Sequence, residues 1–286
     1  MKYVIDKLNP SNAEFIKEYM ISHGLKSLIQ WMEKNAVAFA KFSLRIIFRE
    51  FPEEYWRKAV KSRFPDFSEE FRTWIHLLES DVSLKERLID FIAESLVNGI
   101  VEIRKIDIPY FPSSGVILDI GFGYLGMSKK LVAEALRNKD LLLYLIDNVE
   151  LPCKVAIRVL EKLGDPRNIK VLRVSAERLP FEDNYVDAIT MIGTLHELSN
   201  EIYRVELRKG LENLKIDKEL LGKVREEYDS FSREFCRILK RNGILIIMDK
   251  IMDDYDLDFA IKLTEPYFTV ISKRKEEKLF FLVAKK

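Results

Sequence analysis

Two cysteines, three histidines and one glutamine are all that this 286-residue sequence holds of those types, and each scarcity removes a class of protein. Cys153 and Cys236 lie far apart with no zinc-ligand spacing, so a disulfide framework and a zinc module are both excluded, and each reads as a reduced core residue. His23 and His76 stand alone on helical segments, as packing or surface residues. Charge of one sign is lacking too. Lys plus Arg, 47, nearly cancels Asp plus Glu, 46, so a net charge of +1 supplies no global field toward nucleic acid or an anionic membrane. The apolar stretch Ala36 to Phe48 is interrupted by Lys41 and Arg45 and is too short to span a bilayer. No secretory pattern leads the chain, so a cytoplasmic protein is expected. Internal repeats and low-complexity tracts are absent. Gln30 as the only glutamine, beside abundant Lys and Glu, is a bias of heat-adapted proteomes.

What is present divides into two textures. Residues 1–108 read as a helical domain. Ser11 with Glu14 and Ser83 with Glu86 have the spacing of reciprocal helix-start caps, and Phe71, Trp74, Ile75 and Leu78 repeat at the rhythm of one buried helical face. Leu84, Leu88, Phe91 and Ile92 repeat it in the next helix. Pro109, Pro112, Ser113, Ser114 and Gly115 then end helical periodicity. Residues 109–286 alternate: strands over 116–119, 141–146, 169–173, 186–192 and 244–248, helices over 127–137 and 152–163, and a helical insertion at about 200–240. Such alternation predicts an α/β fold, a Rossmann-like and mostly parallel sheet with helices on both faces. The strand-like runs Phe268 to Ile271 and Leu279 to Ala284, around a polar turn from Ser272 to Lys278, predict a closing antiparallel hairpin.

The chemistry gathers after the first strand. Gly121, Gly123 and Gly126 follow Val116 to Asp119 and precede a helix, an arrangement that lets a ligand reach main-chain N–H groups. The spacing Gly-x-Gly-x-x-Gly is a formal dinucleotide fingerprint, with Asp147 as the acid expected about 20 residues on. By itself it leaves an NAD(P)-dependent oxidoreductase open. Asp119, two residues before the first glycine, turns the reading away from a pyrophosphate and toward a ligand that carries an ammonium and a sulfonium, S-adenosylmethionine.

On these segments the sequence resembles the class I S-adenosylmethionine-dependent methyltransferases, in their small-molecule branch, from about residue 116 to the C-terminus. Asp119-Ile-Gly121-Phe-Gly123 resembles the family's first motif, which implies a cradle for the methionine part of the cofactor. Asp147 matches the acid that holds the ribose hydroxyls. Ala176-Glu177-Arg178-Leu179-Pro180-Phe181 is similar to the segment beside the adenine, and the resemblance brings Ser175, Ala176 and Glu177 to that end of the site. Asp187 to His196 resembles the fourth strand and the turn that faces the methyl group, and Arg237 to Gly243 the turn into the fifth strand. Three positions depart from the pattern. Leu125 stands where a third glycine is usual, Ser175 where many relatives have aspartate, and Arg241-Asn242 replaces Pro-Gly.

The resemblance implies methyl transfer to an oxygen, nitrogen or carbon of a small-molecule acceptor by in-line displacement. His196 is the candidate general base, although such a displacement needs none. Asp249, Asp253 and Asp254 form an acidic stretch that reads as solvated loop before it reads as a magnesium site, so no metal is assigned. The insertion and the N-terminal helices are expected to roof the pocket. The departures at Leu125 and Ser175 keep a second function in view: a degenerate relative that serves as a regulatory or partner subunit without catalysis. No membrane partner is expected, and nucleic acid is disfavoured by the charge balance.

Overall fold

The run Val116 to Ile120 has no polar residue before Asp119, which suits a strand buried on both faces, and in the computed structural model it becomes the central strand β1 (Gly115–Ile120). The structure describes residues 11–50, 68–104, 108–194, 218–250, 257, 260, 261, 264–276 and 279–286. Around β1 lie β2 (Leu141–Asp147), β3 (Ile169–Arg173), β4 (Val186–Ile192), β5 (Leu239–Lys250), β6 (Thr269–Glu276) and β7 (Leu279–Lys285). Their order in the sheet is β3-β2-β1-β4-β5-β7-β6. The first five are mutually parallel, while β7 runs antiparallel to both β5 and β6. The mostly parallel sheet and its closing hairpin are those the alternation predicted.

Because the chain leaves β1 toward β2 and β3, then returns to β4 on the other side, the connections diverge between β1 and β4. Open α/β sheets bind ligands at such a point, outside the carboxyl ends of the strands. In register, Asp119 faces Thr190 on β4 and Leu145 on β2. The core of this unit includes Leu118, Ile146, Ile189, Leu245, Ile247 and Leu282. Helix α7 (Lys218–Ile238) contributes Tyr228, Phe231, Phe235 and Ile238 to it. The hairpin differs from expectation in length: the polar stretch drawn as a turn begins inside β6, which runs to Glu276. Lys273, Arg274 and Lys275 are exposed on this sheet-edge strand, where charged side chains discourage pairing with another chain.

The chain divides into two compact units, and the sheet belongs to the one formed by Ile103–Asn148 and Pro166–Lys286. The other takes in Met1–Glu102 and Val149–Asp165. Its helices are α1 (Ser11–Ser22), α2 (Lys26–Ile47), α3 (Ser68–Ser80), α4 (Val82–Val101) and α6 (Glu150–Lys162), while α5 (Lys129–Arg137) lies in the sheet unit. The expected faces are buried, Phe71, Trp74 and Leu78 on α3 and Leu84, Leu88 and Ile92 on α4. Trp74 donates its indole N–H to Ser43 Oγ at 2.9 Å, which satisfies a donor no water reaches. One cap differs. Helix α4 starts under Asp81, whose carboxylate accepts from Leu84 N at 3.0 Å, so Asp81, one residue ahead of the helix, does the capping expected of Ser83. Glu86, its expected partner, pairs instead with Arg158 of α6 at 2.8 Å, and Glu94 accepts from Lys162 at 3.2 Å. Thus α6, which lies between β2 and β3 in sequence, packs against α4. Among the described residues, no helix is long and apolar enough to cross a membrane.

Candidate active site

The carboxyl end of β1 delivers Asp119 into a place without water. Its side chain is 1% exposed, and Oδ1 accepts a 2.7 Å hydrogen bond from Thr190 Oγ1, the residue beside it in register. Among the described residues Oδ2 finds no hydrogen-bond partner. Burial pushes the carboxyl up to about 7, the neighbouring Ser128 and Thr190 hydroxyls pull it back, and the charge of Asp147 raises it further. An ionised carboxylate left this way is costly, and an approaching cation relieves that cost.

The glycine turn that follows is built by more than one demand. Gly121 has φ +67°, and a Cβ there would lie 2.2 Å from Thr194 Cγ2. Thr194 holds that position by donating to the carbonyls of Ile120 and Gly121, each at 2.9 Å. Gly121 is therefore required by packing. Gly123 and Gly126 are different, since an added Cβ at either meets nothing within 4 Å. The turn thus offers open space at two of its glycines, and the strand before it a buried carboxylate oxygen that a positively charged group would satisfy.

Leu125 resolves the first departure from the family pattern. It adopts φ +54°, the left-handed backbone that a third glycine would give, with its side chain fully buried. Left-handed strain of about 1–2 kcal/mol is offset by burying a leucine, roughly 1.5–3 kcal/mol. Leu125→Gly is accordingly expected to relieve strain yet lower stability by about 2 kcal/mol through the cavity it leaves, measurable by denaturant unfolding. Asn242, expected in a turn ahead of the fifth strand, lies instead within β5, at the irregularity in its pairing with β4, and likewise has positive φ, +72°.

Asp147 closes β2 at the same lip, 8% exposed, and its Oδ2 accepts from Gly123 N at 3.0 Å. The carboxylate thereby fixes the turn. Its carbonyl accepts from Val174 N at 3.0 Å, so Ser175, Ala176 and Glu177 begin beside it. Ser175 is exposed, and its hydroxyl accepts from Glu177 N at 3.3 Å. Ala176 is half-buried against the core and Glu177 exposed.

The structure thus brings Asp119, Gly121, Gly123, Gly126 and Asp147 to one end of the sheet, with Ser175 to Glu177 adjoining. His196, Asp253 and Asp254 lie outside the described residues, as does the part of the insertion before Lys218. Asp249 is buried within β5, and among the described residues no three His, Cys, Asp or Glu side chains are grouped to hold a metal. Sequence reasoning missed Thr190, Thr194 and Ser128. Each is a short hydroxyl residue in an apolar or glycine-rich run, and only the folded chain reveals what it faces.

The model of a family described as "Methyltransferase domain" matches residues 118–211, which begin at β1 and include the glycine turn, Asp147 and Ser175 to Glu177. No curated protein matches the sequence. Among solved structures, a SAM-dependent methyltransferase from Aquifex aeolicus is 20% identical with a TM-score of 0.45, covering 70% of this chain and 92% of that one. A putative S-adenosyl-L-methionine-dependent methyltransferase from Methanococcus maripaludis is 15% identical with a TM-score of 0.44, covering 75% and 91%.

Proposed function

We propose that this chain is a class I S-adenosylmethionine-dependent methyltransferase, a reading supported by the methyltransferase-domain match over residues 118–211, and that it passes the cofactor's methyl group to an oxygen, nitrogen or carbon of a small molecule. The observation that carries the cofactor assignment to particular residues is the buried, half-satisfied carboxylate of Asp119 on the strand that leads into the glycine turn. In this reading Asp119 Oδ2 meets the cofactor's ammonium group, Asp147 accepts from the ribose hydroxyls, and Ser175 to Glu177 flank the adenine. When bound, S-adenosylmethionine supplies a methyl group on a cationic sulfonium, open to direct attack by a nucleophile.

The protein's own contribution is placement. Aligning the acceptor with the departing sulfur supplies most of the acceleration available to a displacement of this type. Thr190 fixes one oxygen of Asp119, and Gly123 N fixes one oxygen of Asp147, so both acids wait in set orientations. His196 stands as the base for an acceptor that must shed a proton, and His196→Ala tests it: unchanged turnover at neutral pH removes it from the reaction. The small-molecule acceptor is supported by a net charge of +1, which offers no field to gather a polyanion.

Two measurements test the whole. S-adenosylmethionine or S-adenosylhomocysteine at about 100 times its dissociation constant is expected to stabilise the protein by roughly 2.7 kcal/mol, read as a thermal shift, with NAD and NADP giving none. Incubation with methyl-labelled cofactor and fractionated cell extract is expected to place label in the low-molecular-weight fraction. Label confined to protein or RNA would overturn the small-molecule acceptor. Absence of any shift with either S-adenosyl compound would overturn the residue assignment.

A further inference from the structure

We propose that Arg237 and Glu234, on the last turns of α7, are positioning residues for the adenine end of the cofactor site. They grip the connection between β3 and β4 chiefly by its main chain. Arg237 Nη1 donates to Phe181 O and to Asp183 Oδ1, each at 2.8 Å, and Nη2 donates to Leu179 O at 3.1 Å. The rest of the guanidinium is committed to Glu234, through Nε at 2.8 Å and Nη2 at 2.7 Å. Glu234 completes the loop by accepting from Leu179 N at 2.7 Å. One fork and one carboxylate therefore satisfy both main-chain groups of Leu179 and the carbonyl of Phe181.

The gripped segment needs such a hold. It has no strand of its own, and Pro180, lacking an N–H, sits between the two anchored residues. Its apolar anchors are the buried Leu179 and the Phe181 ring, 5.0 Å from that of Tyr144 and 5.9 Å from that of Tyr185. Leu179 is two residues from Glu177, and Val174, at the other end, is tied to Asp147. Ser175 to Glu177 are thus suspended between the ribose-side acid and the Arg237 fork. A planar fork fixes such a segment as a lysine's point charge does not. Because Arg237 is committed to these partners, it acts on the cofactor only through the loop.

The inference rests on the proposed placement of adenine beside Ser175 to Glu177. Its test compares calorimetric affinities for S-adenosylhomocysteine and for the analogue whose adenine is replaced by hypoxanthine. Arg237→Gln is expected to weaken S-adenosylhomocysteine by about 10- to 100-fold, as loss of orientation does, and the hypoxanthine analogue far less, so that base discrimination collapses. Arg237→Lys keeps the charge and is expected not to restore it. If Arg237→Gln fails to fold, Glu234→Gln, which keeps shape and an acceptor, carries the same comparison. Equal losses for both ligands, or none, would reduce the pair to an ordinary strut and leave the cofactor assignment standing. A wild type that binds neither ligand, or both alike, would overturn the adenine placement itself.

Discussion

Asp119→Asn is expected to weaken S-adenosylhomocysteine binding by roughly 100-fold at pH 8, because a buried charge facing a cation is replaced by a neutral amide. The same variant is expected to be more stable than wild type when no cofactor is present. Burial raises the Asp119 carboxyl from 3.8 to about 7, so between those values the folded protein holds a proton that the unfolded chain has lost. Stability must therefore fall as pH rises through that window and level off above it. At ~1.4 kcal/mol for each pKa unit, the full penalty approaches roughly 4 kcal/mol. Denaturant unfolding of both proteins from pH 4 to 9 should show curves that agree at the acid end and separate toward neutrality. Wild-type affinity for the cofactor should climb over the upper part of the same window, as the carboxylate becomes available to the ammonium group. Parallel stability curves, or an unaltered affinity in the variant, would remove Asp119 from the role given to it.

Gly121→Ala and Gly126→Ala should have opposite consequences although the residues are five apart in one turn. At Gly121 the new methyl carbon meets Thr194 at 2.2 Å on a backbone of φ +67°. Left-handed strain and overpacking each cost about 1–3 kcal/mol, and disturbing the Thr194 hydroxyl adds to them, so a loss of about 3–5 kcal/mol is expected. At Gly126 the methyl enters open space with no positive φ to penalise it. Restricting the unfolded chain should leave that variant as stable as wild type, or more stable by about 0.4–1 kcal/mol. Its S-adenosylhomocysteine affinity should nevertheless fall about 10-fold, since the space it fills is where a ligand approaches the main chain. Thermal unfolding and calorimetry on the pair give the comparison directly. A stable Gly121→Ala protein would contradict the Thr194 contact, and a Gly126→Ala protein with undiminished affinity would move the ligand elsewhere.

Much of this was legible from local pattern. A buried strand announces itself by consecutive apolar residues, as in Leu141 to Ile146, and a buried helical face by its spacing, as in Phe71, Trp74 and Leu78. The cap of α4 was misplaced by one motif, since Asp81 and Ser83 can both cap and the sequence does not say which backbone N–H each will reach. The extent of β6 was hidden because Lys273 to Lys275 are as suitable for a solvent-facing edge strand as for a turn. That α6 packs with α4 was not legible either, because Glu86, Glu94, Arg158 and Lys162 read as an ordinary solvated surface until they are paired.

Order along the chain sufficed for the strand–glycine–helix sequence, the two acids closing β1 and β2, and the mixed sheet, because each depends on residues that are neighbours in sequence and on periods set by backbone geometry. Tertiary structure alone decided that Gly121 serves Thr194 while Gly126 faces open space, that Leu125 can take a glycine's conformation, and that one oxygen of Asp119 is held while the other is left over. Those outcomes depend on which side chains from β4 and the residues just after it arrive within a few ångströms, and distance across a fold is not written in the spacing of residues along it.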